Sequence, residues 1–82
     1  MGKLIIDCKK LNTKELLLKY LVTELEEMFS PNYDALIDCL QCIDENIAIT
    51  ILNIDNYNDK DNLVEVFKEI CDYTNLVSIE YK

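Results

Sequence analysis

Apolar residues recur along this chain in runs of two kinds, and the two kinds alternate. Lys3 to Cys8 (KLIIDC) is a short apolar stretch with β-branched residues, bounded by charge, and predicts a first strand with Leu4, Ile5 and Ile6 as its core. Leu17, Leu21, Leu25 and Met28, joined by Leu18 and Val22, then recur at helical spacing. Asn12 stands three residues ahead of Glu15, the spacing of a capping box, so a helix from about Thr13 to Glu27 is expected. Pro31 interrupts the pattern. Asn32 is a good N-cap for a second, short helix from Tyr33 to about Gln41, with Ala35, Leu36, Cys39 and Leu40 as its apolar residues.

Asn46 to Leu52 (NIAITIL) is apolar at both sets of alternating positions. That pattern suits an interior strand of a parallel sheet covered on both faces, and places this strand at the centre. Asn53 to Asn62 (NIDNYNDKDN) is rich in turn formers and reads as a loop with room for a single helical turn. Asp61 or Asn62 is then expected to cap a last helix carrying Leu63, Val66, Phe67 and Ile70 on one side, through Cys71 or Tyr73. Leu76 to Tyr81 (LVSIEY) alternates Val77, Ile79 and Tyr81 against Ser78 and Glu80, the pattern of a strand with one buried face. Strands separated by helices imply parallel pairing through right-handed crossovers. The predicted class is α/β: a single small domain over residues 1–82, with a three-stranded parallel sheet in the order 1-2-3 packed against three to four helices.

Composition adds constraints. An 82-residue chain has room for one core, and one Gly with one Pro indicates regular elements joined by short connections. No apolar run approaches the roughly 20 residues needed to cross a bilayer, and no signal-peptide pattern opens the chain, so a cytoplasmic location is expected. Cys8, Cys39, Cys42 and Cys71 lie in or beside core runs, where free thiols are expected.

Charge changes the picture further. Eight lysines face sixteen Asp and Glu, a net charge of −8. From Tyr20 to Asp59 there is no basic residue, while Glu24, Glu26, Glu27, Asp34, Asp38, Asp44, Glu45, Asp55 and Asp59 fall in that stretch. Such a field repels nucleic acid and anionic membrane and attracts a basic partner, although acidic surfaces also serve solubility alone.

The second helix carries the candidate chemistry. Asp34 and Asp38, four residues apart, share a face with about 6 Å of rise between them, and Ile37 is expected on the same exposed side. The helix dipole accounts for Asp34, in the first turn, by about 0.3–1 kcal/mol. It does not account for Asp38. Like charges at this spacing cost about 0.2–0.5 kcal/mol unless a basic ligand relieves them, though the pair also fits plain solvated surface. Cys39-Leu40-Gln41-Cys42 is a C-x-x-C and raises a thiol redox alternative. These cysteines lie at the C-terminal end of a helix among carboxylates, where thiol pKa values rise rather than fall. With no His and no second C-x-x-C, the usual four zinc ligands are missing. The acid-rich loop Asp55 to Asp61 lacks the Gly and Glu positions of an EF-hand. No His base and no Gly-rich loop are present, so neither enzyme activity nor a cofactor is expected.

The segment Asn32-Tyr33-Asp34-Ala35-Leu36-Ile37-Asp38-Cys39-Leu40 (NYDALIDCL) resembles a stretch of the barstar family that reads Asn-Leu-Asp-Ala-Leu-Trp-Asp-Cys-Leu, with seven of nine positions matching. Val66-Phe67-Lys68-Glu69 (VFKE) resembles a Val-Phe-Arg-Glu stretch on the family's last helix, and the order of elements agrees over almost the whole chain. The resemblance implies a barstar-like fold and an inhibitor of basic barnase-type ribonucleases. In that family the second helix and the preceding loop enter the enzyme's phosphate-binding cleft, carboxylates standing in for RNA phosphates. It implies Asp38 as central anchor, Asp34 as its neighbour and Glu69 as a peripheral acid, with Ile37, Tyr33, Phe29 and Ile43 as apolar surround. Ile37 and Ile43 stand where the family has Trp, and Met28 and Phe29 near its loop tyrosines. Fewer aromatic anchors point to a basic ribonuclease other than barnase, or to another toxin. The expected assembly is a one-to-one complex of an immunity-type protein that is monomeric when free. The alternative is an acidic adaptor that binds a basic protein without inhibiting it.

Overall fold

The computed structural model describes residues 2–82. The chain runs β1 (Lys3–Asp7), α1 (Lys14–Leu25), α2 (Tyr33–Gln41), β2 (Ile47–Leu52), a single 3-10 turn (Ile54–Asn56), α3 (Lys60–Tyr73) and β3 (Val77–Tyr81). The strands form one parallel sheet in the order β1-β2-β3, as the alternation of strands and helices implies. Rows of side chains follow from the register: Leu4, Ile49 and Ile79 are neighbours across the three strands, as are Ile6, Ile51 and Tyr81. Leu17, Leu18 and Leu21 of α1, Leu36 and Leu40 of α2, and Leu63, Phe67 and Ile70 of α3 close over these rows in one contiguous core. Among the described residues, no charged residue is buried, so all the charge lies at the surface.

Three local expectations shift. Thr13 rather than Asn12 caps α1, its hydroxyl accepting the Leu16 N–H at 3.3 Å. The Asn12 carbonyl is taken instead by the Asn58 N–H at 2.9 Å, which ties the start of α1 to the loop before α3. At its other end α1 stops at Leu25, where Glu26 turns into the left-handed region (φ 54°), so Met28 leaves the helical stripe and is 94% exposed. Asp59 rather than Asp61 or Asn62 stands at the N-cap position of α3; its carboxylate accepts from the side-chain Nδ2 of Asn62 at 2.9 Å and from no backbone N–H of the helix.

The sheet is covered on one face only, which corrects the expectation of a doubly covered central strand. Every fully buried strand residue points the same way. On the other face Ile5 is 59% exposed, and Ser78 and Glu80 are exposed, while Ala48, Thr50 and Leu52 of β2 are half-buried between their neighbours. Ile5 therefore leaves the core assigned to it, because the two-residue period of a strand sends it opposite to Leu4 and Ile6.

Candidate functional site

The site begins with the turn that launches α2. Pro31, with φ held near −65° by its ring, sits at the centre of a three-residue turn in which the Asn32 N–H donates to the Ser30 carbonyl at 2.7 Å. Asn32 is extended (φ −144°, ψ 162°), and its side-chain oxygen accepts the Ala35 N–H at 2.8 Å, the cap its sequence position predicts. The helix is thus anchored at one end by a rigid turn. At the other end Cys42 closes it, its N–H donating to the Cys39 carbonyl at 3.2 Å.

Around α2, one flank is tied into the fold. Tyr33 is half-buried, and its hydroxyl donates to Asp59 Oδ2 at 3.2 Å and lies 2.8 Å from the hydroxyl of the buried Tyr57. A phenol has one proton to give, so Tyr57 is the donor in the second bond. The Lys14 ammonium stands 5.6 Å from the centre of the Tyr33 ring. Burial pushes both phenols up, and the bond to Tyr33 pushes Tyr57 further. Ile37, one turn on from Tyr33, faces the same way and is only 9% exposed. Ile37 therefore corrects the sequence expectation: it belongs to the core, not to the exposed side beside Asp34 and Asp38. The reason is that α2 packs on α3, whose cap residue Asp59 holds Tyr33, and that contact widens the buried arc of α2 by one position.

The opposite flank opens into a cleft of about 480 Å³ between the end of α2, the α1–α2 connection and the loop before β2. Leu25, Phe29, Cys39, Ile43 and Ile47 form its floor; all are half-buried except Ile47, which is buried. Its rim is acidic: Glu27, Asp38, Asp44 and Glu45 are exposed there, and among the described residues no basic side chain lines it. The cleft brings together Phe29, Asp38 and Ile43, three residues singled out from the sequence. Asp34 is exposed one turn closer to the N-terminus and outside the lining, and Glu69 is exposed on α3, also outside it. The sequence pattern singles out neither Glu27 nor Asp44 nor Glu45 as site residues. The signal that could have found them is the base-free stretch from Tyr20 to Asp59, which contributes all four rim acids.

The chemistry such a cleft supports is cation reception. Acids on the rim attract a basic side chain, and the apolar floor accepts its stem. Burial and the nearby Glu27 carboxylate push the Cys39 thiol up, the opposite of what an attacking thiol needs. Among the described residues, no group of three or more His, Cys, Asp or Glu is placed to hold a metal ion, and no helix is long and apolar enough to cross a membrane.

Compared with known families, residues 1–81 match the family model described as Barstar (barnase inhibitor). None of the curated proteins matches the chain.

Proposed function

Because the chain belongs to the barstar (barnase inhibitor) family, we propose that it binds a basic ribonuclease, or a ribonuclease-type toxin, one to one. It occludes the active site with the acidic flank of α2, whose carboxylates take the place of RNA phosphates. The observation that carries this reading is the acid-rimmed, apolar-floored cleft beside Asp38, lined among the described residues by no basic side chain.

Asp38 is the anchor. It is exposed on a helix capped at both ends, and among the described residues it makes no ion pair, so an incoming Lys or Arg can take it without breaking a bond in this chain. Once covered, the pair is desolvated, and removal of one partner strands the other charge. Phe29 and Ile43 supply the apolar border that excludes water around it. Asp34 adds charge one turn away, and Glu69 acts at the periphery, where a solvated charge alters encounter more than residence. The net charge of −8 steers a basic partner inward, an effect for which complexes of this family are themselves a reference case. A cytoplasmic immunity role accompanies the reading.

The test is RNA cleavage by a panel of small basic ribonucleases, each with and without an equimolar amount of this protein. Stoichiometric loss of cleavage by at least one enzyme is expected, weakening as salt rises toward about 1 M, where screening extends to within about 3 Å. Full activity throughout the panel, with the protein folded, would sink the inhibitor reading. Capture of a ribonuclease that stays active would identify the adaptor instead.

A further inference from the structure

Cys39 and Cys42 play no part in the charge chemistry of the cleft, yet both line it. We propose that they form a reversible intramolecular disulfide that reshapes the partner-binding cleft, a modification site in the last turn of α2. The proposal rests, for its effect on a partner, on the inhibitor reading above.

Three observations support the pairing. First, residues three apart on a helix have α-carbons roughly 5 Å apart, from a rise of about 4.5 Å and a chord of about 2.3 Å. That lies within the roughly 4.4–6.8 Å a disulfide spans. Second, both side chains open onto the same cleft, Cys39 half-buried and Cys42 exposed, so the thiols face a common space. Third, Cys42 sits at the C-cap, with φ −100° and ψ 2°, where one residue can adjust without unwinding the helix. The other cysteines compete poorly. Cys8 is fully buried, and the Cys71 sulfur is hydrogen-bonded to the Val77 carbonyl at 3.5 Å; neither lines the cleft.

The oxidant is a low-molecular-weight disulfide. The exposed Cys42 thiolate attacks one of its sulfurs and expels the first small thiol, leaving a mixed disulfide on Cys42. The Cys39 thiolate then attacks the Cys42 sulfur and releases the second small thiol. Two protein thiols are oxidised and one small disulfide is reduced to two thiols, so protons and electrons balance. Burial, with the nearby Glu27 carboxylate, keeps Cys39 protonated and makes the closing step slow, which suits a response to sustained oxidative conditions rather than a turnover enzyme.

Closing the bond draws Cys42 toward Cys39 on the floor and pulls the residues attached to it, Ile43 of the floor and Asp44 of the rim, toward the helix end. The cleft narrows where a partner's basic side chain would enter.

The experiment treats the full chain with oxidised glutathione, then maps its cysteines by peptide mass. The expected product has lost two hydrogens, carries a Cys39–Cys42 link, and is restored by dithiothreitol. A stable mixed disulfide with glutathione, a link to Cys71, or unchanged thiols overturns the proposal. Amide hydrogen exchange over residues 42–46 is compared between the two forms: slower exchange when oxidised is expected, and no difference overturns the reshaping. Against any ribonuclease the reduced protein inhibits, the oxidised form should be about tenfold weaker, while the C42S variant should inhibit equally with and without oxidant. Equal inhibition by the mapped oxidised form overturns the effect on the partner. Failure to inhibit any ribonuclease would count against the inhibitor reading alone, since mapping and exchange decide the bond and the reshaping without a partner.

Discussion

Helix α2 has two flanks of opposite character, and the contrast shows how one nine-residue element can both hold a fold together and present a binding surface. On the α3 side Tyr33 and Ile37 are drawn inward, the first by hydrogen bonds to Asp59 and Tyr57, the second by burial at 9% exposure. On the cleft side Asp38 and Cys42 are exposed, and among the described residues the cleft lining contains acids and no basic side chain. One flank spends its polar atoms on internal partners, whereas the other holds the Asp38 carboxylate at the surface. A binding helix needs both, since a carboxylate is a precise anchor only when its own backbone is held still.

Substitutions can break or sharpen this contrast. The largest effect is expected from Asp38→Ala, which should cost about 3–5 kcal/mol of affinity for an inhibited ribonuclease by stranding the partner's cation. Titration calorimetry measures the loss, and unfolding by urea should change by no more than about 0.5 kcal/mol, since the side chain is exposed in the free protein. The same change at Glu69 serves as the internal control, with affinity falling less than about tenfold.

On the opposite flank the pattern should invert. Ile37→Ala is expected to destabilise the fold by about 2–3 kcal/mol in urea unfolding, the toll of a cavity at the edge of the core. Were Ile37 a surface contact, stability would hardly move and affinity would fall instead.

Tyr33→Phe should destabilise the fold less than Ile37→Ala, by about 1–2 kcal/mol, by removing the acceptor of the buried Tyr57 hydroxyl. It also carries a pH signature. Both phenols have pKa values raised above the ordinary 10 by burial, so they stabilise the fold below that pH and the contribution is lost as pH rises beyond it. Thermal melts from about pH 8 to 11 should show alkaline destabilisation in the wild type and a shallower decline in Tyr33→Phe. An unchanged alkaline limb would show that the tyrosine pair does not couple α2 to α3.

Much of this protein is legible from its residues. Local chemistry alone sets α2 from Tyr33 to Gln41, its Asn32 cap, and the shared face of Asp34 and Asp38, because caps, periodicity and turn formers act over a few residues. The same local rules misplace residues wherever a distant segment competes. Asn12 yields the cap of α1 because its carbonyl is held by Asn58, Ile37 turns inward because α3 packs beside it, and β2 keeps one face half-open because no second helix layer forms. The cleft belongs to this second group. Its acids come from the α1–α2 connection, the end of α2 and the loop before β2, and only the packing of those segments sets Glu27, Asp44 and Glu45 around the cleft beside Asp38. Sequence by itself determined which charges this chain carries and which helix presents them. Tertiary structure decided which of them share a cleft, because spacing along a chain fixes neighbours within one element, whereas neighbours between elements depend on how the core closes.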